Sequence, residues 1–155
     1  MATVRSPLAE DARKIVGEAL QGALIDLIDL SLIAKQAHWN IIGPNFRSVH
    51  LQLDEVVKKA RKHMDVIAER AVAIGVNPDG RAATVANTSD VRPIEAGYIQ
   101  DEKVVGIMTD TLWGIAARFR DRVIATDEPD PVSQDLLIAV SEDLEQQHWM
   151  FEAMK

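Results

Sequence analysis

The sequence predicts an all-α protein, a four-helix bundle in which one connection is long enough to cross the bundle. Prolines at positions 7, 44, 78, 93, 129 and 131 leave four long intervals between them, and proline interrupts the interior of a helix. Apolar residues recur within these intervals at spacings of three and four, which is typical of helices with one buried face. With 155 residues and 47% hydrophobic content, the chain can form one domain over residues 1–155 with a sizeable core.

The first two helices are predicted on either side of a short break at residues 43–45. The first runs from Leu8 to Ile41, where a Gly-Pro pair ends it. The second runs from Phe46 to Ile74, with Asn45 as its predicted N-cap and Gly75 as its C-cap. The first helix has its core positions at Leu20, Leu24, Leu27, Ser31, Ala34 and His38. The second has them at Phe46, Val49, Leu53, Val56, Ala60, Met64, Ile67, Ala71 and Ile74.

Residues 76–100 are predicted to be a long connection, because they contain two prolines and two glycines. A loop of this length is unusual unless it crosses the bundle, and we expect it to contain a short helix of its own. The third helix is predicted from Asp101 to Ala125 and is followed by an acidic turn at 126–131. Asp130 before Pro131 predicts the start of the fourth helix, which extends to Met154.

Composition excludes several classes of protein. A net charge of −7 argues against a broad basic surface for nucleic acid. The absence of cysteine excludes disulfides and thiolate metal sites, so any metal must be bound by imidazole and carboxylate, which suits iron, manganese or zinc. No apolar run is long enough for a membrane helix, and no secretory signal is recognisable. These features predict a cytoplasmic protein.

Two pairs of candidate metal ligands lie on the second helix. His50 and Asp54 are four residues apart, as are Asp65 and Glu69, so each pair occupies one face across a helical turn. Asp54 and Asp65 lie roughly 16 Å apart along the axis, whereas a ligand lies about 2 Å from its metal. The two pairs therefore cannot share an ion within one chain, but a second chain packed antiparallel could bring them together.

The direction of these ligands also indicates a shared site. Their centre lies roughly 130° around the helix from the predicted core stripe, so they point away from the centre of their own bundle. The neighbouring apolar residues Leu51, Val57, Ala68 and Val72 make this face resemble a subunit interface. The alternative interpretation is that Asp65 and Glu69 are solvated charges beside Arg61 and Arg70, and that His38 is an ordinary polar residue.

Several segments resemble the Dps proteins, the mini-ferritins. They are A-K-Q-A-H-W-N at 34–40, G-P-N-F at 43–46, H-L-Q-L-D-E at 50–55 and D-V-I-A-E-R at 65–70. D-P-V-S-Q-D-L-L at 130–137 and H-W-M at 148–150 extend the resemblance over nearly the whole chain. The resemblance implies a ferritin-like four-helix bundle that assembles into a hollow dodecamer.

The resemblance also implies a chemistry and a ligand set. Ferrous iron would be oxidised, with hydrogen peroxide as the preferred oxidant, and ferric mineral would be stored in the cavity. His38, His50 and Asp54 would come from one subunit, and Asp65 and Glu69 from its two-fold partner. Trp39 and Trp149 match positions near the site, where an oxidisable indole intercepts one-electron damage; packing in the core or an interface is the alternative role.

Other acidic and histidine residues admit more than one interpretation. The resemblance implies that Asp127, Asp130 and Asp135 line a pore for iron, although acidic residues here also complement the dipole of the fourth helix. Glu145 and His148 match the Glu-x-x-His pattern of di-iron bundles, but those sites need two copies of it. His63 lies on a different face from the ligands and is predicted to be solvated.

Two further functions remain as alternatives. A DNA-compacting protein would require phosphate contacts, yet the N-terminal segment offers only Arg5 before Arg13, and Lys155 directly follows the fourth helix. A hydrolase with a metal-activated water could use imidazole and carboxylate ligands, but no nucleophile–base set accompanies them. The sequence thus favours a ferroxidase that stores iron.

Overall fold

The structure is a computed structural model that describes residues 4–155. Four long helices and one short helix make up nearly all of it: α1 Glu10–Asn40, α2 Phe46–Ala73, α3 Ala82–Thr88, α4 Asp101–Thr126 and α5 Pro131–Glu152. The predicted all-α bundle, its long crossover and the short helix within that crossover are confirmed. Within residues 4–155, no helix combines the length and the apolar composition needed to cross a lipid bilayer.

The long helices pack as two pairs around one core. α1 contacts α2, α4 contacts α5, and contacts of α1 with α4 and of α2 with α5 close the bundle. The predicted stripe of α2 is buried except for Phe46, which is 42% exposed, and Met64, which is half-buried. Phe46 is the first residue of α2, and its ring stacks on the imidazole of His50. The largest buried side chains are Phe119, Phe151, Leu20, Leu27, Leu30, Leu53, Ile67, Ile74, Met108, Leu112, Ile115 and Leu137.

The corner between α1 and α2 is tied to the end of the crossover. α1 ends at Asn40 because Ile41–Ile42 leaves the helix as strand β1 and pairs in parallel with β2, Ile99–Gln100. Strands of two residues carry no periodicity, so the sequence did not predict them. Asn45 occupies the predicted N-cap position of α2, but its side chain makes no capping bond. Its backbone N–H instead donates to the carboxylate of Asp101, at 2.6 Å.

Ion pairs between helices add specific contacts to the apolar core. Asp26 on α1 is 2% exposed and accepts hydrogen bonds from Arg118 and Arg122 on α4. Between α2 and α5, Asp143 accepts from His63, at 2.6 Å, and pairs with Lys59. The prediction that His63 is solvated is therefore wrong, because its side chain is only 12% exposed.

Candidate metal centre

His38 and His50 form an interlocked pair at the α1–α2 corner. Nδ1 of His38 donates to the backbone carbonyl of His50, at 2.8 Å, and Nδ1 of His50 donates to the carbonyl of His38 over the same distance. The two rings stack with their centroids 3.6 Å apart and 18° between their planes. The pair depends on the corner, because His38 lies in the last turn of α1 and His50 in the second turn of α2.

These bonds determine which nitrogen of each ring can bind a metal. A carbonyl oxygen only accepts, so each Nδ1 must bear the hydrogen. In the neutral imidazole the proton is then absent from Nε2, which keeps its lone pair for a ligand. Bonding of the second ring nitrogen to a carbonyl is the usual way in which a metal-binding histidine is oriented. The arrangement supplies two preset nitrogen donors.

Asp54 lies one turn beyond His50 and pairs with a lysine of α1. Nζ of Lys35 donates to Oδ1 of Asp54 at 2.7 Å, and the Asp54 side chain is 34% exposed. The hydrogen bond from Lys35 lowers the pKa of Asp54 below its ordinary value, so the carboxylate is anionic at neutral pH. Its second oxygen accepts no hydrogen bond within residues 4–155, which leaves it available to a cation. The sequence did not assign a role to Lys35, although it lies three residues before His38 on the same helix face.

Asp65 and Glu69 lie farther along α2 and are exposed. Arg70 is not a partner for them, because its guanidinium binds Asp130 and Ser133 at the start of α5. In residues 4–155, no group of three or more His, Cys, Asp or Glu side chains is close enough to hold a metal within one chain. Within the described residues His38 and His50 are in contact, Asp54 lies one turn beyond His50, and Asp65 and Glu69 lie farther along α2.

Exposed apolar side chains lie next to the candidate ligands on the surface of this chain. Leu51 beside His50 is 48% exposed, and Trp39 beside His38 is 67% exposed. Val72, three residues beyond Glu69, is 43% exposed. Val57, which was predicted for the same face, is instead buried in the core of its own bundle. Large exposed apolar side chains next to polar ligands are characteristic of an interaction surface.

The remaining tryptophan and acidic candidates occupy different environments. Trp149 is 62% exposed, so it does not pack in the core of this chain. Asp127 and Asp135 are exposed, and Asp127 accepts from the side chain of Gln134. Asp130 is 5% exposed, caps α5 and pairs with Arg70. The carboxylate of Asp130 thus has the capping role of the alternative interpretation, and it is buried within the chain.

Glu145 and His148 do not form a ligand pair. The guanidinium of Arg120 donates to both oxygens of Glu145 and lowers the pKa of this carboxyl. The imidazole of His148 lies against the indole of Trp113, with ring centroids 5.0 Å apart. The Glu-x-x-His pattern therefore reflects packing between α4 and α5.

Comparison with known proteins identifies the family of this chain. The family model described as "Ferritin-like domain" matches residues 17–154. DNA protection during starvation protein 2 of Deinococcus radiodurans is 33% identical over 144 residues, which are 93% of this chain and 59% of that relative. This chain thus spans less than two thirds of that relative's length. DNA protection during starvation protein of Agrobacterium fabrum is 31% identical over 150 residues, 96% of this chain and 93% of the relative.

The fold of this chain is also similar to that of solved Dps structures. The solved structure of Mycobacterium smegmatis Dps in its tetragonal form superimposes with a TM-score of 0.93 and 28% sequence identity. The match covers 99% of this chain and 93% of that one. Because the family model and an almost full-length relative both match, the chain belongs to the ferritin-like family and, within it, to the Dps proteins.

Proposed function

We propose that this protein oxidises ferrous iron at sites shared between two-fold-related subunits and stores the ferric product in a hollow shell. The observation that carries the proposal is the interlocked His38–His50 pair beside Asp54, which presents nitrogen and carboxylate donors on an outward-facing surface. Membership in the Dps proteins supports iron as the substrate and a dodecamer as the assembly. Asp65 and Glu69 of the partner subunit would complete each site.

The donor set suits iron that changes its oxidation state. Imidazole nitrogen is a good ligand for Fe(II), and carboxylate oxygens, as hard ligands, favour the Fe(III) product. Two ferrous ions supply the two electrons that reduce one hydrogen peroxide to two waters, and two protons are taken up. A site with five protein ligands for two ions leaves coordination positions open to the oxidant. The exposed indole of Trp39 lies next to His38, where it could be oxidised in place of the backbone.

Iron oxidation can be measured by anaerobic titration with Fe(II) followed by peroxide, with the ferric product monitored by its absorbance. We expect rapid oxidation of about two irons per site, and a loss of more than about tenfold in rate in His50→Ala and in Asp54→Ala. His148→Ala, a histidine removed outside the proposed ligand set, is the matched control. Wild-type rates in the two ligand variants would contradict the proposed function.

Sharing of the site between subunits can be tested by mixing variants. Neither a His50→Ala/Asp54→Ala protein nor an Asp65→Ala/Glu69→Ala protein should oxidise iron alone. After unfolding and co-assembly at equal amounts, each site draws its two halves independently, so about a quarter of the sites should contain two intact halves. We expect about a quarter of the wild-type rate. No recovery, in assemblies shown by mass to contain both chains, would contradict a shared site.

Asp127 and Asp135 form the proposed access path for iron. Both are exposed near the α4–α5 turn, and repeated around a three-fold axis their carboxylates would concentrate cations. Asp130 is omitted because its carboxylate is occupied by Arg70 and by α5. We expect Asp127→Asn/Asp135→Asn to slow iron uptake from low Fe(II) concentrations, with Glu142→Gln as an exposed control. Equal uptake by the two variants would exclude this path.

Protection of DNA, the role that the relatives' names describe, would follow here from the removal of Fe(II) and peroxide. A net charge of −7 opposes direct binding to phosphates. A gel shift with supercoiled DNA between about 50 and 200 mM salt should show no complex. A complex that weakens steeply with salt would instead favour direct binding.

A further inference from the structure

We propose that Asp101, which contacts the α1–α2 corner at Gly43 and Asn45, is a positioning residue for the His38–His50 pair. The inference rests on the proposed function, since it concerns the same site. Asp101 begins α4 and is 3% exposed, although its side chain is acidic. A buried carboxylate is costly unless it is hydrogen-bonded, so its partners indicate what it stabilises.

The partners of Asp101 belong to two helices. Oδ2 accepts from the backbone N–H of Asn45 at 2.6 Å, and Oδ1 accepts from the N–H of Glu102 at 2.9 Å. An acidic residue in the first turn ordinarily complements only its own helix. Here the bond to Asn45 spans 56 residues of sequence and satisfies the backbone N–H of the N-cap residue, as the third-position carboxylate of a capping box does within one helix.

Gly43 makes room for this carboxylate. A Cβ atom at Gly43 would lie 2.5 Å from Oδ1 and 2.6 Å from Cγ of Asp101, closer than real Cβ contacts occur. The φ angle of Gly43 is +130°, a conformation that side chains of L-residues rarely adopt. The backbone at Gly43 therefore lies directly against the carboxylate of Asp101. Its conformation depends on the size of the side chain at position 101.

The corner in turn determines how the histidines meet. His38 lies three residues before strand β1, and His50 lies five residues after Asn45. Each imidazole bonds to the backbone of the other helix, so a shift of α2 relative to α1 would break both bonds together. The β1–β2 pairing, Ile41 with Ile99 and Ile42 with Gln100, fixes the same corner from the crossover. Asp101 thus acts on the nitrogen donors through the backbone, without touching the metal.

The test uses binding of Co(II), which reports coordination by its visible absorption without oxidation, alongside Fe(II) oxidation by the full-length assembly. We expect Asp101→Ala to weaken Co(II) binding by about tenfold or more, to alter the absorption bands, and to raise KM for Fe(II). Asp101→Asn keeps one acceptor oxygen but places an NH2 donor where the other oxygen accepts, so its Co(II) affinity should lie between those of the wild type and Asp101→Ala. Glu102→Ala and Glu102→Gln remove the adjacent, exposed carboxylate of the same helical turn and should match the wild type.

Each outcome is informative. Equal Co(II) affinity and equal spectra for the Asp101 and Glu102 variants would overturn the positioning role while wild-type iron oxidation still upheld the proposed function. A wild-type protein that neither binds Co(II) nor oxidises Fe(II) would overturn both. If Asp101→Ala does not reach the native mass, Asp101→Asn and Glu102→Gln decide: weaker binding in Asp101→Asn alone supports the role, and identical binding rejects it.

Discussion

At the level of single residues, the candidate site is organised by its neighbours as much as by its ligands. The two histidines orient each other through backbone carbonyls, and Lys35 holds the carboxylate of Asp54. The first interaction orients the two nitrogen donors, whereas the second places the ammonium group of Lys35 beside a carboxylate that we propose as a metal ligand. Lys35 binds Oδ1 of Asp54 and leaves Oδ2 to a metal ion, so the charge of the lysine would repel a metal ion at the neighbouring oxygen.

Removing that cation should strengthen metal binding. Exposed ion pairs contribute about 0.2–1 kcal/mol, so we expect Lys35→Met to raise Co(II) affinity by up to about fivefold at neutral pH. Methionine keeps the apolar stem and removes the charge. The control is Lys58→Met, because Lys58 is near Asp54 but pairs with Glu55. Weaker Co(II) binding in Lys35→Met, measured by titration, would mean that the lysine orients the carboxylate for the metal.

At the level of helices, two buried carboxylates each link the start of one helix to another helix. Asp101 serves the start of α2, and Asp130 serves the start of α5 while also accepting from Arg70 of α2. Glycines with positive φ follow α1 and α2, at Gly43 and Gly75. The Asp130 cap was predictable from its position before a proline, but its second role as the partner of Arg70 was not.

Loss of the Asp130 cap should destabilise the protein in a pH-dependent manner. Asp130→Ala removes the cap, typically worth about 1–2 kcal/mol, and leaves Arg70 without its carboxylate. Burial raises the pKa of Asp130, but hydrogen bonds from Ser133 and Arg70 outweigh it, and the folded pKa lies below the ordinary 3.8. A depressed folded pKa stabilises the protein above the unfolded pKa, and this contribution is lost as pH falls through the folded value.

Thermal unfolding over a pH series checks this prediction. We expect Asp130→Ala to lower Tm at neutral pH and the difference from wild type to shrink below about pH 4. Asp135→Ala, which removes an exposed carboxylate from the same helix, should change Tm little at any pH. A Tm difference for Asp130→Ala that stays constant down to pH 2 would rule out the charged form as its source.

At the level of the whole molecule, large apolar side chains are exposed on all four long helices. The exposed large apolar side chains include three tryptophans, and they extend over α1, α2, α4 and α5: Leu32, Trp39, Leu51, Val72, Trp113, Ile124, Val132, Ile138 and Trp149. Surfaces of this kind mark contacts with other chains. Half-sites that are incomplete within one chain make assembly a condition of the proposed activity.

A charge on this surface near the site should therefore abolish activity without unfolding the subunit. We expect Leu51→Glu to reduce the native mass and to lower iron oxidation by more than tenfold, because an unpaired charge would be buried at the interface. Native mass, circular dichroism and oxidation rate are measured together. Tyr98→Glu, at a position 80% exposed in the crossover, is the control. Full activity of a monomeric Leu51→Glu protein would refute the requirement for assembly.

The sequence by itself determined the helices and the direction of the ligands. Periodicity of three and four residues reports which side of a helix is buried, so the core stripe of α2 and the outward position of His50, Asp54, Asp65 and Glu69 followed from local spacing. The bulk of the helix boundaries followed from proline, glycine and capping residues, for the same local reason. The resemblance to the Dps proteins was also recognisable from short sequence motifs alone, without the structure.

Only the tertiary structure decided which groups meet across the bundle. The His38–His50 interlock, the Lys35–Asp54 pair and the bond from Asn45 to Asp101 join residues on different elements, and no periodicity within one element encodes such contacts. The same reason explains why His63 was wrongly expected in solvent: its partner, Asp143, is 80 residues away. By contrast, the separation of about 16 Å between the two half-sites along α2 was available from the sequence, because it follows from the rise per residue of a helix.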